Sequence, residues 1–151
     1  MRGQERDEKE EEKQMLEERL AAAKSIAERM RSGKIYTFAK LKPSDLPEKA
    51  AGVYAIYDIN TGETLYVGRT KNIRRRLYTN HLMGPESNAR LKKYLVHDDS
   101  ASAITTMKEA KQYLRDSCSF QFIEEPDRVR RGQIEGLLSF LLDVRYIHEE
   151  H

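Results

Sequence analysis

Gly52-Val53-Tyr54-Ala55-Ile56-Tyr57-Asp58-Ile59-Asn60-Thr61-Gly62-Glu63-Thr64-Leu65-Tyr66-Val67-Gly68 is the stretch on which the fold turns. Val53 to Ile59 is rich in β-branched and aromatic residues, which suit a pleated, half-buried surface. Asn60-Thr61-Gly62-Glu63 then supplies turn-forming residues, and Thr64-Leu65-Tyr66-Val67 reads as a returning strand. The two runs predict a β-hairpin. Because alternate strand positions share a face, a hairpin can carry Tyr54 and Tyr66 onto one surface.

Downstream, Thr70 or Asn72 can cap a helix that buries Ile73 and Leu77 and ends at Gly84-Pro85. Helical patterns follow over about residues 88–96 and 105–115. Cys118-Ser119-Phe120-Gln121-Phe122-Ile123 alternates like a third strand, which Pro126 stops. From about Arg128 to Tyr146 a last helix gathers Ile134, Leu137, Leu138, Leu141 and Leu142 on one side. The order β, β, α, α, α, β, α predicts an α+β fold, a small three-stranded, mainly antiparallel sheet flanked by helices.

Upstream, Lys42-Pro43-Ser44-Asp45-Leu46-Pro47 removes backbone donors at two prolines and reads as part of a lead-in loop over 34–51. Before it, Met1 to Lys13 is nearly all charged, and Leu16, Leu20, Ala23, Ala27 and Met30 recur three or four apart. This predicts an extra N-terminal amphipathic helix within 1–33, running from about residue 8 to Arg31. Its narrow apolar stripe packs on the domain that follows or seams against a second copy as a homodimer. The expected organisation is thus a helix at 1–33, the lead-in at 34–51, a domain at 52–147 and a tail at 148–151.

The 151 residues fit one domain plus an accessory arm, and 38% apolar against 34% charged residues means a modest core. A net charge of +2 does not by itself argue for nucleic acid, since a binding footprint needs local positive charge. The single cysteine, Cys118, excludes an internal disulfide and a multi-cysteine zinc site. No apolar run approaches a membrane span and the first residues lack the apolar centre of a secretory signal, so a cytoplasmic protein without a membrane partner is expected.

Gly52-Val53-Tyr54, eleven further residues, Tyr66-Val67-Gly68, and Arg76 ten positions after Tyr66 closely resemble the signature of the GIY-YIG nuclease superfamily. Thr70-Lys71-Asn72-Ile73-Arg74-Arg75-Arg76-Leu77 resembles the helix entry that follows the second tripeptide in that family. The resemblance covers about Gly52 to Tyr146 and implies a GIY-YIG-like fold and an endonuclease that hydrolyses phosphodiester bonds in DNA, with water as nucleophile. It implies that Tyr54 takes or orients the water proton, Tyr66 helps position water and phosphate, and Arg69 fills the basic position after the second tripeptide. Arg76 would clamp two nonbridging phosphate oxygens. Glu135 matches the family's single metal carboxylate, for which one Mg²⁺ or Mn²⁺ is the expected cofactor. A phenol is a poor base at neutral pH unless a cation stands nearby, and Arg69 is the nearest in sequence. Lys71, Arg74 and Arg75 are expected to contact the phosphate backbone.

Two departures stand out. The family carries His or Tyr four residues after the arginine, where this chain has Asn80, with Tyr78 two places before and His81 one place after. One residue turns an α-helical side chain by about 100°, so His81 joins the catalytic set only if the helix ends or tightens near Asn80. The asparagine that the family places downstream of the glutamate has no counterpart between Gly136 and His151. Both departures support an alternative, a catalytically impaired GIY-YIG-fold module that binds nucleic acid. A third reading is an interaction protein that dimerises through its N-terminal helix. No helix-turn-helix or zinc finger is visible, which favours duplex, nicked or branched DNA read by structure over long-site recognition.

Overall fold

The hairpin forms as read, and it sits at the centre of a larger sheet. In the computed structural model, which describes residues 2–87, 89–101 and 103–147, strand β2 (Gly52–Asp58) pairs with β3 (Thr64–Thr70) on one side and β4 (Cys118–Glu124) on the other. A short β1 (Tyr36–Thr37) joins β4, so the order is β1-β4-β2-β3, antiparallel throughout. The turn closes through Asp58, whose Oδ1 accepts from Asn60 N at 2.8 Å and Thr61 N at 3.0 Å, while Gly62 takes the left-handed φ of 74°.

The sheet therefore has four strands rather than the three expected, and the extra one lies in the segment read as a lead-in loop. Two residues are too few to show alternation. Tyr36 is held there by stacking on Phe120, with ring centroids 5.2 Å apart and planes 7° from parallel. The same segment holds a 3₁₀ turn at Pro43–Asp45.

Register divides the sheet into two faces. Tyr54 and Ile56 share one with their cross-strand neighbours Gly68, Tyr66, Phe122 and Phe120, whereas Val53, Ala55, Val67, Arg69 and Ile123 point to the other. The first face packs under a π-helix (Arg75–Leu82), α2 (Arg90–His97) and α3 (Met107–Ser117), whose Leu77, Leu82, Leu91, Leu95, Ala110 and Leu114 are buried with it. Helix α4 (Arg128–Leu141), capped by Asp127 accepting from Arg130 N at 2.8 Å, lies against β3 and β2 and buries Ile134 and Leu138. It ends before the expected Tyr146 because the chain turns back along the free edge of β3, where Arg145 N and Tyr146 N donate to Thr64 O and Leu65 O at 3.0 Å each.

Helix α1 (Arg2–Ser32) forms a unit apart from Gly33–His151 and starts earlier than the apolar series, since its charged first turns are helical too. Leu16 and Leu20 on it are each 60% exposed. The expected tail 148–151 and Asn88, the expected start of the α2 pattern, lie outside the described residues. Among the described residues no helix is long and apolar enough to cross a membrane.

Gly52 permits the close approach of β2 and β4, since a Cβ there would stand 2.2 Å from Ile123 O. Gly52→Ala should cost about 1–3 kcal/mol by forcing the strands apart. Urea unfolding checks this, and an unchanged midpoint would contradict it.

Candidate active site

Tyr54 leaves the centre of β2 on the helix-covered face and lies across its partner Gly68, where a Cβ would stand 2.3 Å from the phenolic oxygen. A side chain at 68 would thus occupy the place of the hydroxyl. Tyr66, two residues earlier on β3, presents its ring to the same face, 6.1 Å from that of Tyr54 between centroids. The expected meeting of the two phenols is observed.

His81 completes the cluster by a route the sequence reading did not anticipate. The helix does end two residues past Asn80, but it widens before it ends: Arg75–Leu82 is a π-helix, with Met83 N donating to Tyr78 O five residues back at 3.0 Å as well as to Asn80 O. A wider turn brings a residue five positions on to the side that a residue four positions on takes in an α-helix. His81, five after Arg76, therefore faces the tyrosines, while Asn80 faces a groove described below. The His81 Nε2 lies 2.6 Å from Tyr54 Oη, both groups buried, and the imidazole meets both phenol rings edge-on at 5.3 and 5.2 Å.

Lys92 secures this widened turn. Its ammonium donates to Leu82 O and Gly84 O at 2.8 Å each, binding carbonyls that the end of a helix leaves open. Burial and the nearby Lys111 and Arg115 push its pKa down to about 8, still mostly charged at neutral pH.

Burial also sets the electrostatics of the cluster. It raises the Tyr54 phenol well above the ordinary range, reinforced by Tyr66 and Glu135 and opposed by Arg76 and Arg90. It lowers His81 to about 3, helped by Arg76, Lys92 and Arg90. The Tyr54–His81 pair is therefore neutral at rest. The Tyr66 phenol is raised by burial against the pull of Arg90, which also hydrogen-bonds it. Among the described residues, the buried side-chain nitrogens without a hydrogen-bond partner are Arg76 Nε and His81 Nδ1. Each such group costs about 1–3 kcal/mol, so two in one cluster mark a place where stability has been given up for something else.

Glu135 stands half-buried on α4, close enough to raise the Tyr54 pKa, and the ion pairs among the described residues do not include it. Among those residues no group of three or more His, Cys, Asp or Glu gathers as a ligand cage. One unpaired carboxylate fits a hard divalent cation that takes its remaining oxygens from water and a phosphate.

The other expected site residues divide. Arg69 does not serve the phenols: it alternates to the opposite face, where its Nη1 would lie 2.3 Å from a Cβ on Gly132, and the cations acting on Tyr54 are Arg76 and Arg90. Lys71 and Arg75, with Arg69 and Arg76, line a cavity of about 440 Å³. Arg74 does not join them, because its Nε and Nη2 donate to Leu46 O at 3.1 and 2.7 Å and fasten the helix to the lead-in segment. Four basic residues were missed as parts of the site: Arg90, Lys92, Arg128 and Arg131. The run Arg128-Val129-Arg130-Arg131 was a visible signal for two of them; Arg90 and Lys92 read as ordinary helix surface.

The family model of the GIY-YIG catalytic domain matches residues 50–116, from two residues before β2 to the last turn of α3, leaving α4 and Glu135 outside the match. No curated protein and no solved structure matches the chain.

An unfolded histidine takes up a proton near 6.5, but His81 in the folded chain does so only near 3. Its contribution to stability is thus full above about 6.5 and lost as pH falls toward 3, at up to about 1.4 kcal/mol per pH unit. His81→Gln should flatten the acid limb of a stability-against-pH curve by roughly 2 kcal/mol between pH 6.5 and 4.5; parallel curves would contradict the burial of a neutral imidazole. Separately, Gly68→Ala should disturb the Tyr54–His81 contact, seen as a change in the near-ultraviolet tyrosine signal of a protein that still folds, and an unaltered signal would count against it.

Proposed function

We propose that this chain, whose residues 50–116 match the GIY-YIG catalytic domain, is a metal-dependent endonuclease that hydrolyses phosphodiester bonds in DNA. The observation that supports it best is the buried Tyr54–His81 contact of 2.6 Å beside the unpartnered Nε of Arg76. A raised phenol pKa makes a resident phenolate a poor proposal for the base. A relay suits the pair better once a phosphate is bound: in the tautomer protonated at Nδ1, Tyr54 accepts the proton of the attacking water as it passes its own to His81 Nε2, whose positive charge, disfavoured by burial at rest, is then offset by the phosphate's negative charge. The water oxygen forms the new bond to phosphorus while the bond to the leaving oxygen breaks.

Arg76 offers its guanidinium to the nonbridging oxygens, where negative charge gathers in the transition state. Tyr66, held by Arg90, orients water and phosphate. Glu135 would hold Mg²⁺ or Mn²⁺, which when bound supplies Lewis-acid stabilisation of the leaving oxygen. The departure at Asn80 favours a module that binds without cutting, but His81 occupying the tyrosine cluster removes most of its force. The reading includes a reducing, cytoplasmic setting, in keeping with the buried free thiol of Cys118, and a homodimer through the exposed Leu16 and Leu20 of α1.

A cleavage panel over duplex, nicked, flapped and branched DNA with Mg²⁺ or Mn²⁺ tests it. Wild type should cut at least one substrate, Arg76→Ala and Glu135→Ala should each lose about 10²–10³ in rate, and Arg76→Lys should not restore it. If every substrate stays as intact with wild type as with Arg76→Ala, the proposal is wrong.

A further inference from the structure

The cavity of about 440 Å³ beside the tyrosine cluster is unusually one-signed: of its nine lining residues six are cationic, and none is acidic. Tyr54, Tyr66, His81 and Glu135 do not line it, so it is not where the bond would break; Arg76, which lines it and also acts on Tyr54 and His81, links the two places. Its far wall belongs to α4, whose Arg128 and Arg131 face Lys71 and Arg75 from the end of β3 and the start of the π-helix.

These side chains are not equally available. Arg131 is buried and donates to Glu125 O and Pro126 O at 3.1 and 2.8 Å, so it braces the approach to α4. Arg69 is seated over Gly132. Lys71, Arg75 and Arg128, by contrast, are exposed. Like charges crowded this way repel one another, and an anion relieves the repulsion; a guanidinium gains most from a phosphate, which it can bind through two hydrogen bonds at once.

We propose that this groove is a second phosphate subsite, which grips a backbone phosphate flanking the scissile one through Lys71, Arg75 and Arg128. The inference rests on the nuclease reading for the identity of the strand and adds to it a point of attachment on α4. Two attachments, Arg76 at the scissile phosphate and the groove at a flanking one, fix the strand's direction across the tyrosine cluster, which a single clamp cannot do.

The test compares wild type with Lys71→Gln/Arg128→Gln, and with Lys40→Gln/Lys108→Gln as a charge-matched control on exposed residues away from the groove. Binding of a fluorescent DNA duplex is followed against salt without divalent metal, alongside cleavage with Mn²⁺. The groove variant should bind roughly tenfold or more weakly, and its slope of log affinity against log salt should fall by about 2, close to one per cation removed. The control should keep the wild-type slope. Neutral methylphosphonates placed one at a time beside the cleaved bond should weaken wild-type binding at one flanking position and have no further effect there in the groove variant. Equal slopes in groove variant and wild type, or methylphosphonate effects that are the same in both, overturn the subsite. Salt-dependent binding lost in the groove variant of a protein that cuts nothing supports the subsite and sinks the nuclease reading. Cutting by wild type with unaltered binding in the variant does the reverse.

Discussion

The contact between Tyr54 Oη and His81 Nε2, 2.6 Å long and sealed from solvent, is the constraint around which the rest of the domain is arranged. A phenol and an imidazole buried together remain neutral, because either charge would lose its hydration without an adequate partner. Gly68 leaves room for the phenol, and the π-helix delivers the imidazole. Lys92 binds the carbonyls at the end of that helix, and α2, which carries it, also carries Arg90 to Tyr66. One short helix therefore supports both partners of the cluster.

The widened helix explains how a one-residue difference from the family pattern can be absorbed. A π-turn sacrifices regular hydrogen-bond geometry and persists only where packing demands it. Here the demand is visible: Leu77, His81 and Leu82 are all buried, four and five residues apart, and regular α geometry would rotate His81 or Leu82 away from the sheet. The unpartnered Arg76 Nε and His81 Nδ1 belong to the same arrangement, local satisfaction given up for orientation.

The elements legible in the sequence were those that carry a repeated pattern. The hairpin, β4 and the start of α4 fall where alternation and capping put them, and α3 lies two residues beyond its expected ends. Strand β1 was illegible because two residues show no period, and it depends on Phe120, more than eighty positions away. The end of α4 was misread because Leu141 and Leu142 carry the apolar series up to the helix end, while the backbone pairing of Arg145 and Tyr146 with β3 just beyond it leaves no periodic trace. For the site, Tyr54, Tyr66 and Arg76 were named from one spaced signature. The side Arg69 faces follows from register, and the position of His81 from helix type, which no local motif encodes. The five-residue step from Leu77 to Leu82 was the available hint.

The exchange variant Asn80→His/His81→Asn tests most directly whether the π-turn is what brings the imidazole to Tyr54. It keeps composition and charge, and it restores the four-residue spacing of a regular helix. Compared with His81→Asn alone in a DNA cleavage assay, it should be equally impaired, since a histidine at 80 faces the basic groove. Cleavage by the exchange variant at the wild-type rate would contradict the account.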